Sequence, residues 1–217
     1  MSVYHNGEKM DSSEDINLKI KKMVLAALFA ALIAVGAYIS IPITPISIVP
    51  ITLQTFFVVL TPIVLGKKWG TISVFVYLLV GLIGFPVFSE GRSGIGVLFG
   101  PTGGYLISFL IVAYVVGFLY EKSNKKPFSV FWIALFGCLI TLFIGSLFMA
   151  LTLHLSLEKA FLIGCLPFLL GGLLKTIAIV FVAPGLANKV NLNTTYPNPN
   201  EDLDASDSDQ VTITPEG

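Results

Sequence analysis

From Val24 to Val182 the chain is a succession of long stretches of Leu, Ile, Val, Phe and Ala, broken only by short polar or Pro/Gly-rich segments. Inside a bilayer no water is available to bond backbone N–H and C=O groups, so such stretches are viable there as helices. About 20 helical residues cross the hydrocarbon core. A sequence of this kind folds as an all-α integral membrane bundle. The charges agree: 12% of the 217 residues are charged and the mean hydropathy is +0.87, whereas a soluble domain carries about 25% charged residues.

The apolar stretches number six. Val24–Ile41 ends at "PITPISIVP", whose prolines 42, 45 and 50 forbid a regular helix. The second runs from Thr52 to Leu65 and stops at "GKKWG"; the third covers Thr71–Phe88; the fourth, Gly103–Leu119, is closed by "YEKSNKK". Phe128–Leu153 and Pro167–Val182 complete the set. The second reaches adequate length only if its helix begins within "IVPITLQ", which brings Gln54 to the membrane or its edge. "SLEKAFLIGCLPF" fits neither loop nor span, and Pro167 marks a helix start. Leu157–Leu166 is therefore expected as a short amphipathic helix on the outer surface.

Lysines 9, 19, 21 and 22 precede the first span, 67 and 68 follow the second, 122, 125 and 126 follow the fourth, and Lys189 follows the sixth. Arg92 and Lys159 fall in loops on the other side, and Lys175 lies inside a span. Basic residues mark the cytoplasmic face, so six transmembrane helices with both termini cytoplasmic are predicted. The expected organisation is a polar N-terminal tail (1–22), a six-helix membrane domain (23–187) and an acidic, disordered C-terminal tail (188–217). "HNGEKMDSSEDINLKIKK" is too acidic and too long for the n-region of a signal peptide.

A net charge of zero gives no electrostatic case for nucleic acid. Cys138 and Cys165 sit in apolar context and read as packing residues. Neither metal-ligand spacing nor a cofactor motif occurs.

Lys175 heads the candidate residues, because an ionisable group inside a span is expensive and marks function. Gly171 and Gly172 lie one turn earlier on its helix face and leave a hollow above the ammonium. The competing reading is a lysine that snorkels to the interface, from roughly 12 Å deep at 1.5 Å per residue. The second candidate is the loop between the third and fourth spans. Eight of the chain's twenty glycines lie between Gly81 and Gly104, with Pro86, Pro101 and Arg92, the sole arginine. Irregular backbone at membrane depth survives where it is buried or lines a cavity. In "GPTGG", residues Gly100, Thr102, Gly103 and Gly104 offer amides at a helix start, suited to an anionic or carbonyl ligand, and Arg92 suits a carboxylate. The alternative is a flexible outer turn with an exposed arginine.

"GRSG" matches the G-x-S-G pattern of intramembrane serine proteases, with Ser93 as nucleophile and His154 as base. That chemistry needs its serine at a helix start within the membrane, and Ser93 is expected in an outer loop. "FGPTGG" lacks the G-K-[ST] of a phosphate loop, so any ATP use falls to a partner. In the first span Ala26, Ala30 and Ala34 share a face, with Ala27 and Ala31 beside them. Small residues at this spacing admit a close helix, from this chain or from another subunit.

"VPITLQTFFV", "GLIGFPVFSEGRSGIGVLFGPTGGYLISF", the alanine face after a basic N-terminus and "PFLLGGLLK" together resemble the BioY family, the biotin-binding S components of energy-coupling factor (ECF) transporters. The resemblance runs from about Lys21 to Leu186. It implies a six-helix cell-membrane subunit, without enzymatic activity or cofactor, that captures biotin from the outer side. It also implies a transmembrane coupling protein met through the alanine face, two ATPase subunits, and a protein that topples in the bilayer to deliver its ligand. Matching site positions are Thr52, Gln54, the loop through Tyr105, and Lys175. One position departs: the family commonly has an aspartate where this chain has Gly172. Removing one side of a buried charged pair costs roughly 3–5 kcal/mol, so either Glu90, Glu158 or the ligand's own carboxylate compensates, or Lys175 is neutral. A biotin precursor or another small carboxylate is the alternative ligand.

Overall fold

The computed structural model describes residues 4–190 apart from Thr44, with side chains from Ile16 onward. Nearly all of the expected C-terminal tail lies outside the described residues. Helix α1 (Tyr4–Tyr38) begins well inside the expected N-terminal tail, since after Gly7 no glycine or proline interrupts the sequence until Gly36. A two-stranded antiparallel ribbon follows, β1 (Ser40–Ile41) and β2 (Ile51–Thr52), with Ser40 opposite Thr52. Then come α2 (Gln54–Ile83), the one-turn α3 (Gly96–Phe99), α4 (Gly103–Lys122), α5 (Pro127–Leu153), α6 (Leu157–Gly164) and α7 (Leu166–Val190). Among the described residues five helices are long and apolar enough to cross a membrane: α1 from Ile16, α2, α4, α5 and α7.

α2 is one helix by hydrogen-bond pattern and two by geometry. Thirty residues of straight helix would run about 45 Å. At Gly66, however, φ is 78° and ψ 171°, a conformation open to glycine and strained for other residues. On either side of it the chain doubles back. A Cβ on Gly70 would fall 2.4 Å from the Cα of Pro62, whereas residues eight apart on a straight helix are about 12 Å apart. The Gln54 side-chain amide also reaches the hydroxyl of Tyr77. The two limbs correspond to the second and third apolar stretches of the sequence. Glu121, near the end of α4, holds the turn. Its carboxylate accepts from the Lys67 backbone N–H at 2.7 Å and pairs with the Lys67 ammonium at 3.5 Å.

The α2 hairpin is the hub, with α1 packed on one side, α4 on another, and α5 and α7 closing the far wall. Ile33, Val58, Ile63, Val74, Val112, Ala134 and Ile179 are fully buried among these helices. The outward faces carry exposed Val35, Phe75, Ile111, Phe136, Phe143, Leu170 and Phe181, an apolar girdle suited to lipid. α6 starts where the sequence predicts, with the Ser156 hydroxyl accepting from the Lys159 N–H at its N-cap, and ends two residues early at Gly164. Pro167 then occupies the first turn of α7, where its missing N–H has no partner to lose.

Candidate functional site

One end of the bundle holds a partly open pocket. Five parts of the chain build it. The ribbon segment and the start of α2 bring Val49, Pro50, Thr52, Gln54 and Thr55; the glycine-rich loop brings Phe88, Ser89, Val97 and Thr102; α4 brings Tyr105, Leu106 and Phe109. Cys138, Thr141 and Leu142 come from α5, and Phe168, Gly172 and Lys175 from α7.

The Lys175 ammonium donates to the carbonyl of Thr52 at 2.6 Å and to the hydroxyl of Thr55 at 2.9 Å. The turn entering α2 thus supplies what the sequence seeks from a carboxylate. Of the expected compensators, Glu90 is bonded to Arg92 at 2.5 Å and Glu158 lies on α6, and neither pairs with Lys175 among the described residues. Gly172 leaves real space: a Cβ there would meet only the Cβ of Cys138, at 3.9 Å. Gln54 is 3% exposed and aims its amide at Tyr77. The Tyr105 hydroxyl donates to the Gly164 carbonyl at 2.7 Å, pinning α4 to α6, while its ring faces Phe168 at a centroid distance of 6.5 Å. The pocket therefore has polar groups around Lys175 and aromatic and aliphatic walls elsewhere.

Of the sequence candidates, Thr52, Gln54, Thr102, Tyr105, Gly172 and Lys175 line this pocket, and Arg92, Gly100, Gly103 and Gly104 do not. The Phe88 N–H donates to the Arg92 carbonyl at 3.0 Å, closing a tight turn in which the guanidinium meets Glu90 at its own rim. The Gly103 amide, expected as a free donor, is bonded to the Gly100 carbonyl at 2.9 Å. Gly103 and Gly104 serve packing: a Cβ at Gly103 would lie 1.9 Å from the Leu98 carbonyl oxygen, and one at Gly104 2.2 Å from the Phe148 Cβ.

Sequence reading missed Thr55, Phe88, Ser89, Thr141 and Phe168. Thr141 stands three residues after Cys138 on α5, so a small polar pair at helical spacing was the signal available there. Phe88 carries no such periodicity. Cys138, read as packing, both packs and lines the pocket, with its sulfur 3.8 Å from the Thr176 hydroxyl oxygen. Both cysteines are free thiols. His154 caps α5 in the left-handed conformation at φ 51°, and no hydrogen bond joins it to Ser93 among the described residues. Ala26 and Ala30 of the alanine face turn inward, 3% and 7% exposed, with the Ser73 hydroxyl donating to the Ala26 carbonyl at 2.8 Å. Ala34 is partly covered, and Ala27 and Ala31 remain exposed.

Outward apolar faces around a pocket with a half-buried lysine define a multi-pass membrane protein with a small-molecule binding site. A family model described as the BioY family matches residues 9–192, and the chain belongs to that family. It is 41% identical over 165 residues to the biotin transporter BioY of Thermotoga maritima, covering 76% of this chain and 94% of that one. A probable biotin transporter BioY from Pyrococcus horikoshii is 40% identical over 169 residues, covering 78% and 98%. Among solved structures, the crystal structure of the S-component for biotin from an ECF-type ABC transporter superposes with a TM-score of 0.73 at 31% identity, covering 79% of this chain and 93% of that one.

Proposed function

We propose that this chain is the substrate-capturing membrane subunit of a biotin uptake transporter, binding biotin in the pocket around Lys175 and carrying out no covalent chemistry. The observation that carries the reading is the environment of Lys175. Two of its three N–H donors are held by Thr52 and Thr55, which orients the ammonium and leaves one donor for a ligand oxygen. Phe88, Phe109 and Phe168 supply apolar wall for a ring and an aliphatic chain. Gly172 supports a second ligand reading, a biotin precursor or another small carboxylate, because the open space beside Cys138 does not demand one ring shape.

In the same proposal the two limbs of α2 cross the membrane separately, giving six passes. Lysines 67, 68, 122, 125 and 126 then fall at one face with both termini, the cytoplasmic face of the cell membrane. The pocket opens at the opposite, outer face. Import is completed with a transmembrane coupling protein and two ATPase subunits, and exposed Ala27 and Ala31 offer the close-packing surface for the coupling protein. The test is calorimetric titration of the detergent-purified protein with biotin, with Lys175→Ala alongside. Tight binding lost in the variant supports the reading. A folded protein that gives no heat with biotin overturns the ligand assignment, and titration with a precursor lacking the thioether ring then decides between the two.

A further inference from the structure

Tyr77 does not itself line the pocket, yet two of the pocket's walls depend on it. It is 1% exposed, midway along the second limb of α2. Its hydroxyl accepts from the Gln54 side-chain N–H and donates to the Val87 carbonyl at 3.2 Å. Its ring meets Phe88 edge-on at a centroid distance of 5.7 Å, and Phe88 is wedged over Gly81, where a Cβ would lie 2.2 Å from the Phe88 ring. Gln54 and Phe88 both line the pocket.

The direction of this relay follows from its far end. A backbone carbonyl only accepts, so the Tyr77 proton points to Val87, and the Tyr77 oxygen is left to accept from Gln54. The Gln54 amide must then turn its NH2 group toward Tyr77. That orientation leaves its carbonyl oxygen Oε1, bonded by no other group among the described residues, as the atom it offers elsewhere. We propose that Tyr77 is a positioning residue that fixes the Gln54 amide with its acceptor toward the ligand, so that the pocket selects a ligand carrying an N–H donor, and that it anchors the Phe88–Ser89 wall through Val87. This rests on the reading of the pocket as a biotin site, the ureido N–H groups being the donors.

Tyr77→Phe keeps the ring and removes the relay. Two measurements test it. In the first, wild type and variant are titrated with biotin and with an N-methylated ureido analogue. Wild type is expected to prefer biotin, and the variant to lose about tenfold of that preference, the size of effect when a buried hydrogen-bonding group loses its partner. Gln54→Leu should lose as much, and the double variant no more than either alone. Equal weakening of both ligands, or additive losses, overturns the proposal in favour of a structural role. In the second, hydrogen exchange of the ligand-free protein reads the loop directly. Exchange in residues 84–94 should accelerate in Tyr77→Phe while the 166–176 segment stays unchanged; no acceleration, or a uniform one, overturns the anchoring. A wild type that binds no biotin refutes the ligand reading alone and leaves the exchange measurement to decide the anchoring.

Discussion

The α7 wall and the glycine-rich loop each bring one cation to the open end of the molecule, with opposite results. Lys175 enters the pocket and is held by a carbonyl and a hydroxyl from another element. Arg92 stays at the rim, paired at 2.5 Å with Glu90 two residues away. The difference lies in what is near each cation along the chain. Arg92 finds an acid inside its own turn, and one of its terminal nitrogens pairs with Glu90 there. Lys175 has none within its helix, and the turn entering α2 must come to it. Lys175, without a local partner, is met by a distant element, and both form pocket wall.

The largest effect expected from breaking this contrast is at Lys175. In Lys175→Ala a ligand oxygen loses a charged hydrogen bond, about 1.5–3 kcal/mol, and the Thr52 carbonyl and Thr55 hydroxyl lose their donor. Biotin affinity should fall roughly ten- to a hundredfold in calorimetry with the fold retained. A loss under tenfold would make Lys175 a structural strut instead of a ligand contact. On the loop side, the corresponding break is one of packing. Gly104→Val sets a branched side chain where a single Cβ already lies 2.2 Å from Phe148 and 3.1 Å from the Ile144 carbonyl oxygen. Overpacking of this kind costs about 1–3 kcal/mol, read as a lowered melting temperature in detergent. If stability holds and only ligand binding falls, Gly104 acts on the ligand and not on the α4–α5 contact.

The same contrast explains what could be read in advance. The apolar stretches, the α6 segment and the lysine inside a span were legible because they are periodic or costly in lipid. The reversal at Gly66 was marked by "GKKWG", where two lysines interrupt an apolar run. The roles of "GPTGG" were not legible. Glycines that admit a ligand and glycines that admit a helix share one composition, and Leu98 and Phe148 decide between them. Nor could spacing tell that Lys175 would find Thr52 and Thr55, more than a hundred residues back. That pairing depends on the α2 hairpin stacking against α7.

Thr55→Val keeps the shape of the side chain and removes one of the two hydrogen bonds that orient Lys175. A hydrogen bond to a charged group is worth about 1.5–3 kcal/mol, and because Thr55 acts on the ligand only by orienting Lys175, affinity should drop by less than that, about fivefold. An unchanged affinity would mean that the Thr52 carbonyl alone sets the ammonium's position.

The smallest effect is expected at Arg92. Both members of the Arg92–Glu90 pair are more than a third exposed, and exposed pairs contribute about 0.2–1 kcal/mol. Arg92→Ala and Glu90→Gln should therefore each leave biotin affinity within about threefold of wild type. The two variants also separate a rim arginine from a mobile one. Ser89, three residues before Arg92, lines the pocket, so a modest inward shift of the turn would carry the guanidinium toward a bound carboxylate. In that case Arg92→Ala weakens binding strongly while Glu90→Gln, which frees the arginine, strengthens it. Opposite signs in the two titrations would show that the loop closes over the ligand and that the Glu90 pairing belongs to the open state alone.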